Sequence, residues 1–155
     1  MIGTLILTHG GVARELLAAV EEIAGAQQSF AALSLDWDDD CDVAEAKIGE
    51  ALGRFHDVDG VLILTDTYGG TPCNIAMSFR EPGRVEVLSG VNLPMVMRLA
   101  CLGARESMEV GELAHWLETK GKQSICVAAD LAGRRNGDES PGRGARDAEA
   151  EAPGG

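Results

Sequence analysis

Two apolar runs of this sequence each end in a side chain that can take part in phosphoryl chemistry. His9 follows the run of residues 2–8, and Asp66 follows the run of residues 61–65. If both runs are strands of one parallel sheet, their carboxyl ends meet at the same edge. An imidazole can attack phosphorus through one ring nitrogen when a carboxylate holds the proton on the other. We therefore predict that His9 is a nucleophile and that Asp66 orients it.

Glycine-rich segments follow both side chains. Gly10 and Gly11 come directly after the histidine, whereas Gly69, Gly70 and Thr71 come after the aspartate. Backbone N–H groups at the start of a helix, and a threonine hydroxyl, can bind phosphate oxygens. Glycine pairs also serve simple turns, but here a nucleophile, a carboxylate and amide donors are predicted at one edge. The pattern predicts a phosphate-binding site that needs neither a metal ion nor a cofactor.

The elements that must position these residues alternate between strand-like and helix-like patterns. This alternation is typical of a doubly wound α/β fold, with a mostly parallel open sheet and helices on both faces. The predicted strands are 2–8, 30–35, 61–64, 84–88 and 124–129. Helices are predicted from Val12 to near Gly25, around 48–55, from an N-cap at Thr71 through Phe79, over 95–102 and around 110–117. The segment 95–102 is apolar nearly all round, which predicts either deep burial or contact with another subunit.

Composition limits the classes of partner and compartment. With 155 residues, of which 45% are hydrophobic, we predict one domain over residues 1–130 and a disordered polar tail over residues 131–155. The net charge of −12 argues against nucleic acid or an anionic membrane as a partner. The sequence has no basic amino-terminal region and no apolar run near ~20 residues, so we expect a cytoplasmic protein without membrane insertion.

The other residues that could bind metal or react have structural explanations. The acidic residues 36–40 are predicted to cap a helix rather than to bind a metal ion. His56 lies in a loop beside Asp57, and His115 lies beside the apolar stripe of a helix, so we expect solvated side chains. The four cysteines show no C-x-x-C spacing, which predicts reduced and mostly buried thiols.

With these residues laid out, the sequence resembles the IIA components of the mannose family of the bacterial phosphoenolpyruvate-dependent sugar phosphotransferase system (PTS). The resemblance covers about residues 1–130 and is carried by the blocks Thr8–Gly10, Thr65–Asn74 and Gly90–Met95. It implies that His9 accepts a phosphoryl group from the phosphocarrier protein HPr, and we expect the nitrogen that faces solvent, Nε2, to carry it. It also implies that the group then passes to a histidine or cysteine of a separate IIB-type acceptor protein in sugar uptake.

The resemblance implies roles for further residues and an assembly. Asp66 would orient the nucleophile, and Gly70 and Thr71 would help to hold the phosphate. Tyr68 and Asn92 are expected at the surface that meets the partner protein. The family fold implies a homodimer in which the last short strand adds to the sheet of the other subunit.

Three other functions remain open from the sequence. In a regulatory module, phosphorylation would change the binding of a protein partner, and no sugar would be imported. The phosphoryl group could instead supply a dihydroxyacetone kinase. A metal-dependent hydrolase using His9, Asp66 and one acidic residue of 36–40 would need a third ligand that the sequence does not identify. A nucleotide site has little support, because the sequence has neither G-x-G-x-x-G after a strand nor a Walker A motif.

Overall fold

The computed structural model describes residues 1–102 and 108–130. Met1–Ile125 form one compact unit, and the residues from Cys126 onward are assigned to a second unit. The predicted tail of residues 131–155 lies outside the described residues, so its disorder stays a prediction.

Four parallel strands form the sheet. They are β1 (Ile2–His9), β2 (Phe30–Leu35), β3 (Gly60–Thr65) and β4 (Val85–Ser89). Their order across the sheet is β2-β1-β3-β4. In this register His9 of β1 is paired with Leu35 of β2, and Leu7 is paired with Thr65 of β3. The first and third strands are therefore neighbours, and their carboxyl ends lie at one edge of the sheet.

Five α-helices of the described ranges cover both faces of the sheet. They are α1 (Val12–Ala24), α2 (Cys41–Gly53), α3 (Thr71–Ala76), α4 (Leu93–Leu102) and α5 (Val110–Gln123). Side chains of α2 and α3 belong to the core cluster on one face, and side chains of α1, α4 and α5 belong to the cluster on the other. The predicted doubly wound α/β class is confirmed.

The central strands are buried on both sides, as their continuous apolar sequences predict. All six residues of β3 are buried, and Leu62 on one side and Ile63 on the other are fully inaccessible. On α4, the side chains of Met95, Val96 and Leu99 are buried within the chain itself. The predicted burial is thus confirmed for one face of this helix only, because Arg98 and Cys101 are exposed, and the alternative, contact with another subunit, stays a prediction.

Capping residues set the helix boundaries near the site. Asp40 precedes α2, and its Oδ1 accepts a hydrogen bond of 2.8 Å from the backbone N–H of Val43. This confirms the capping role predicted for the acidic cluster. Helix α3 differs from the prediction, because its N-cap is Gly70 and Thr71 is the first helical residue. After Ala76 the helix tightens into a 3-10 turn, Met77–Phe79.

The predicted strand at 124–129 is wrong for the part of the chain that the structure describes. Ser124 ends α5 in a turn, where its N–H and its hydroxyl both donate to the carbonyl of Gly121. Residues 125–127 have no regular structure, and residues 128–130 are helical. A strand needs a neighbour whose backbone pairs with its own, and none of the four described strands pairs with this segment.

The prediction of mostly buried thiols is also wrong. All four cysteines are free, but only Cys73 is buried, whereas Cys41, Cys101 and Cys126 are exposed. Cys41 is the first residue of α2, and Cys101 lies in the last turn of α4. Cysteine is a residue type that favours burial, but whether a given position packs against the core depends on the fold and not on the residue type alone.

Among the described residues, every helix is too short or too polar to cross a lipid bilayer.

Candidate functional site

The carboxyl ends of β1 and β3 bring His9 and Asp66 together. His9 is the last residue of β1, and Asp66 directly follows β3. His9 Nδ1 lies 2.8 Å from Asp66 Oδ2, which is a hydrogen-bonding distance. The two side chains are 22% and 19% exposed, respectively. The imidazole is therefore largely enclosed, while part of it stays in contact with solvent.

The Asp66 carboxyl accepts two further hydrogen bonds from the backbone. The N–H of His9 donates to Oδ2 at 3.0 Å, and the N–H of Thr67 donates to Oδ1 at 2.8 Å. Burial by itself raises the pKa of this carboxyl, but the bonds from the His9 backbone, the His9 ring and Thr67 outweigh burial. The net pKa of Asp66 lies below its ordinary value of 3.8, so the group is ionised at neutral pH.

The charge of Asp66 decides which nitrogen of the ring can react. An ionised carboxylate only accepts hydrogen bonds, so the neutral His9 ring must carry its proton on Nδ1. Nε2 then keeps its lone pair, which makes it the nucleophilic nitrogen. In this tautomer the ring also keeps a negative partner beside it, which stabilises any positive charge that develops there.

The turn between β1 and α1 is held by backbone geometry. Gly10 has a φ of +52°, a conformation that favours glycine, and its N–H donates to the carbonyl of Leu35 at 3.0 Å. The buried hydroxyl of Thr8 accepts a 2.8 Å bond from an N–H in the first turn of α1. Gly11 is the N-cap of α1, and its N–H has no acceptor in the described part of the chain. Of the two donors predicted here, the amide of Gly10 is engaged and that of Gly11 is free for a ligand.

The loop between β3 and α3 packs against the imidazole. A Cβ on Gly70 would lie 2.8 Å from His9 Cε1, closer than real Cβ atoms come. The N–H of Gly70 donates to the Thr67 carbonyl at 3.2 Å, so this position is glycine for space and its amide is engaged. Gly69 adopts a φ of +79°. The N–H groups of Gly69 and Thr71 have no acceptor within the residues that the structure describes.

The two residues predicted at the partner surface differ in their surroundings. Tyr68 is 86% exposed and follows the site aspartate by two positions. Asn92 is half-buried, and its Oδ1 accepts a 3.1 Å bond from the N–H of Met95 at the start of α4. The side chain of Asn92 is thus used inside its own loop, whereas that of Tyr68 is available to another protein.

Sequence reasoning missed one residue of the site, Trp37. Its indole stacks on the imidazole of His9, with ring centroids 4.9 Å apart and ring planes 19° apart. The side chain is nevertheless 84% exposed. The pairing of His9 with Leu35 places Trp37 two residues beyond the neighbouring strand end. The sequence would have indicated Trp37 as a site residue only if it had also shown that β2 lies beside β1.

The remaining histidines lie apart from such an environment. His56 is 73% exposed and pairs only with Asp57, and His115 is 88% exposed on α5 near Glu118. In the acidic cluster, Asp39 is bound to Lys47 by hydrogen bonds of 2.7 Å. In the ranges 1–102 and 108–130, no group of three or more His, Cys, Asp or Glu side chains is arranged to hold a metal ion.

The sequence is related to proteins of the PTS. A family model described as "PTS system fructose IIA component" matches residues 3–117. The fructose-specific EIIA component of Bacillus subtilis is 30% identical over 131 residues, which are 84% of this chain and 88% of that protein. The mannose-specific EIIAB component of Escherichia coli is 32% identical over 97 residues, which are 62% of this chain and 30% of that longer protein.

Solved structures agree with the sequence relationship. The mannose/sorbose-specific IIA subunit from Enterococcus faecalis is 31% identical and superposes with a TM-score of 0.70, over 81% of this chain and 92% of that one. The EIIA component from Streptococcus agalactiae is 26% identical, with a TM-score of 0.73 over 84% and 99% of the two chains. The chain therefore belongs to the mannose family of IIA components of the phosphoenolpyruvate-dependent sugar phosphotransferase system, and it acts as a phosphotransferase component.

Proposed function

We propose that this protein is a phosphocarrier that takes a phosphoryl group from phospho-HPr onto His9 and passes it to a separate IIB-type acceptor in sugar uptake. The observation that carries the proposal is the 2.8 Å contact between His9 Nδ1 and Asp66 Oδ2. It leaves Nε2 as the nitrogen with a lone pair, on a ring that is partly open to solvent. Membership of the IIA family supports the direction of transfer.

The transfer step follows from this geometry. The lone pair of His9 Nε2 attacks phosphorus, and the bond between phosphorus and the donor atom of HPr breaks, with its electron pair going to that donor atom. The proton on Nδ1 stays in place, so the phosphorylated ring carries a positive charge. The ionised carboxylate of Asp66 compensates that charge. Transfer to the acceptor reverses these changes and returns the lone pair to Nε2.

Candidate donors for the phosphoryl oxygens lie in the two loops that follow His9 and Asp66. The backbone N–H groups of Gly11, Gly69 and Thr71 donate to no carbonyl among the described residues, and the Thr71 hydroxyl lies at the start of the same helix as its amide. We propose that they bind the phosphoryl oxygens, which backbone amides at helix starts do well. The amides of Gly10 and Gly70 serve the loop geometry instead, because each already donates to a carbonyl.

The test is phosphorylation in a reconstituted relay. The protein is incubated with phosphoenolpyruvate, enzyme I and HPr, and the product is followed by intact mass and by its stability in acid and base. We expect one phosphoryl group in an acid-labile, base-stable linkage, and we expect His9→Ala to abolish it. His56→Ala and His115→Ala are the controls, because these are the other two histidines of the chain. An adduct that persists in His9→Ala would refute the proposal.

We also propose that the protein is a homodimer. Two observations support it: β4 is an edge strand, and Ile125 is 79% exposed in the single chain. Association of two subunits would pair the free backbone groups of the edge strand and bury the exposed apolar side chain. Sedimentation of the wild type should give a dimer, and Ile125→Asp should shift it to monomer. A monomeric wild type at the same concentration would contradict this assembly.

A further inference from the structure

Trp37 is an exposed aromatic residue that has no part in the transfer step proposed above. Its side chain is 84% exposed, although a surface-exposed indole forgoes the stabilisation that burial would supply. The one aromatic partner found for it in the described residues is the nucleophilic ring itself, at 4.9 Å and 19°. The aromatic contact of Trp37 is therefore with His9 and not with the core.

The loop that carries Trp37 is held on both sides of the indole. Asp39 Oδ2 accepts a 2.9 Å bond from the N–H of Asp36, which closes a turn around Trp37. The same carboxylate binds Lys47 of α2 at 2.7 Å, and Asp40 caps that helix. The hydrogen bonds of Asp39 lower its pKa, chiefly through Lys47, so it stays charged at neutral pH. The indole is thus presented by an anchored turn.

Three contacts together restrict the imidazole. Asp66 fixes its Nδ1 edge at 2.8 Å. The backbone of Gly70 lies against the edge formed by Cε1 and Nε2, where a Cβ would come within 2.8 Å and 3.4 Å of these atoms. Trp37 covers a face of the ring, with the two planes nearly parallel. A single hydrogen bond leaves a ring free to tilt about that bond, whereas a stacked indole fixes the plane.

We propose that Trp37 is a positioning residue for His9, an inference that rests on the phosphocarrier function proposed above. The indole holds the imidazole plane so that the lone pair of Nε2 stays aligned with the incoming phosphorus atom. After transfer, the ring is positively charged, because the phosphoryl group has been added at Nε2 and Nδ1 keeps its proton. The π face of the indole then stabilises this cation, as aromatic faces stabilise cations generally.

The expected effect of losing the indole is a modest fall in the rate of phosphorylation at saturating phospho-HPr. Stabilisation of a cation by an aromatic face changes an equilibrium constant or a rate by about 2- to 30-fold. We expect Trp37→Leu, which keeps apolar bulk but loses the flat π face, to lower the rate at saturating phospho-HPr by about this factor. The concentration of phospho-HPr at half-maximal rate should stay unchanged. Trp37→Phe keeps an aromatic face and should retain most of the rate.

A matched control is available in the chain's other tryptophan. Trp116 lies on α5 and packs against the core away from the imidazole, so Trp116→Phe should leave the rate unchanged. In that variant Trp37 is the sole indole, and phosphorylation of His9 should change its fluorescence. Nitrogen chemical shifts of the unphosphorylated His9 ring report its tautomer directly. Trp37→Leu should keep the Nδ1–H tautomer, because Asp66 still fixes it, so a fall in the saturated rate then reports the orientation of the ring and not its protonation.

The outcomes separate this inference from the proposed function. If the wild type takes up no phosphoryl group, the proposed function fails and the inference fails with it. If the wild type is phosphorylated, and Trp37→Leu matches it in saturated rate, only the inference is refuted. A rise in the half-maximal concentration with an unchanged saturated rate also refutes it, because Trp37 would then be a docking contact.

Discussion

Replacing Asp66 by asparagine tests the electrostatic basis of the site without changing its shape. The carboxylate accepts two hydrogen bonds from His9 on Oδ2 and one from Thr67 on Oδ1. An asparagine can present a carbonyl oxygen at only one of these two positions. If the carbonyl faces His9, both His9 bonds persist, but to an uncharged acceptor. If the amide NH2 faces His9, it donates to Nδ1 and forces the ring proton onto Nε2, where it blocks attack.

The magnitude follows from these two arrangements. A hydrogen bond to a charged group contributes about 1 kcal/mol more than a neutral one. Only the bond to the ring strengthens as the imidazole becomes positively charged, so losing the charge of its acceptor should raise the barrier by about 1–2 kcal/mol, or roughly 5- to 30-fold in rate. Any population in the flipped arrangement lowers the rate further, and in a Ser-His-Asp triad the corresponding substitution costs about 10⁴-fold. We expect Asp66→Asn to reduce phosphorylation of His9 between these two limits.

The assay is the initial rate of phosphoryl uptake from phospho-HPr, with far-ultraviolet circular dichroism to verify the fold. Asp57→Asn is the matched control, because Asp57 also pairs with a histidine, at 3.0 Å, but on the exposed surface. It should keep the wild-type rate. A wild-type rate in Asp66→Asn would refute the reasoning, since it would mean that neither the charge nor the tautomer governs transfer.

The free energies of unfolding of the wild type and of Asp66→Asn should depend differently on pH. The pKa of Asp66 is lowered in the folded state, so its carboxylate stabilises the fold at all pH values well above the ordinary pKa of 3.8. That contribution is lost as the pH falls through the lowered pKa. The difference in free energy of unfolding between wild type and Asp66→Asn should be constant near neutral pH and shrink in acid below 3.8. A difference that grows on acidification would contradict the assigned direction.

Three further substitutions test other parts of the structure. Gly70→Ala should abolish or strongly reduce phosphorylation while circular dichroism stays native, because the added Cβ would come within 2.8 Å of the His9 ring. Asp40→Ala removes the cap of α2 and should lower the free energy of unfolding by about 1 kcal/mol in a urea titration, with the rate of phosphorylation retained. Leu62→Ala, in the fully buried β3, should cost about 2–5 kcal/mol in the same titration.

The sheet and the pair at its edge could be predicted because their signals are local. A continuous apolar run such as residues 61–65 is typical of a strand covered on both faces, and a polar residue directly after it must lie at the carboxyl end. His9 and Asp66 satisfy this condition on their own strands. Their meeting required only that the two strands be neighbours, which an α/β pattern favours.

The parts that the sequence did not predict depend on non-local information. Whether an apolar segment such as 124–129 forms a strand depends on a pairing partner, and the sequence alone does not say which chain supplies one. The position of an N-cap depends on φ and ψ at one residue, so Gly70 rather than Thr71 precedes α3. The engagement of the Gly10 amide by Leu35 likewise depends on the strand order.

Strand order also explains why the proposed nucleophile, His9, is on β1. In the order β2-β1-β3, the carboxyl end of β1 has a neighbouring strand end on each side. The residues after β2 supply the indole of Trp37, and the residues after β3 supply the carboxylate of Asp66 and the backbone of Gly70. A histidine at the end of β4 would have a neighbour on one side only. Only at the end of a central strand can residues of two neighbouring loops contact both the face and the edges of one imidazole. The same two loops, β2–α2 and β3–α3, remain accessible to a partner protein.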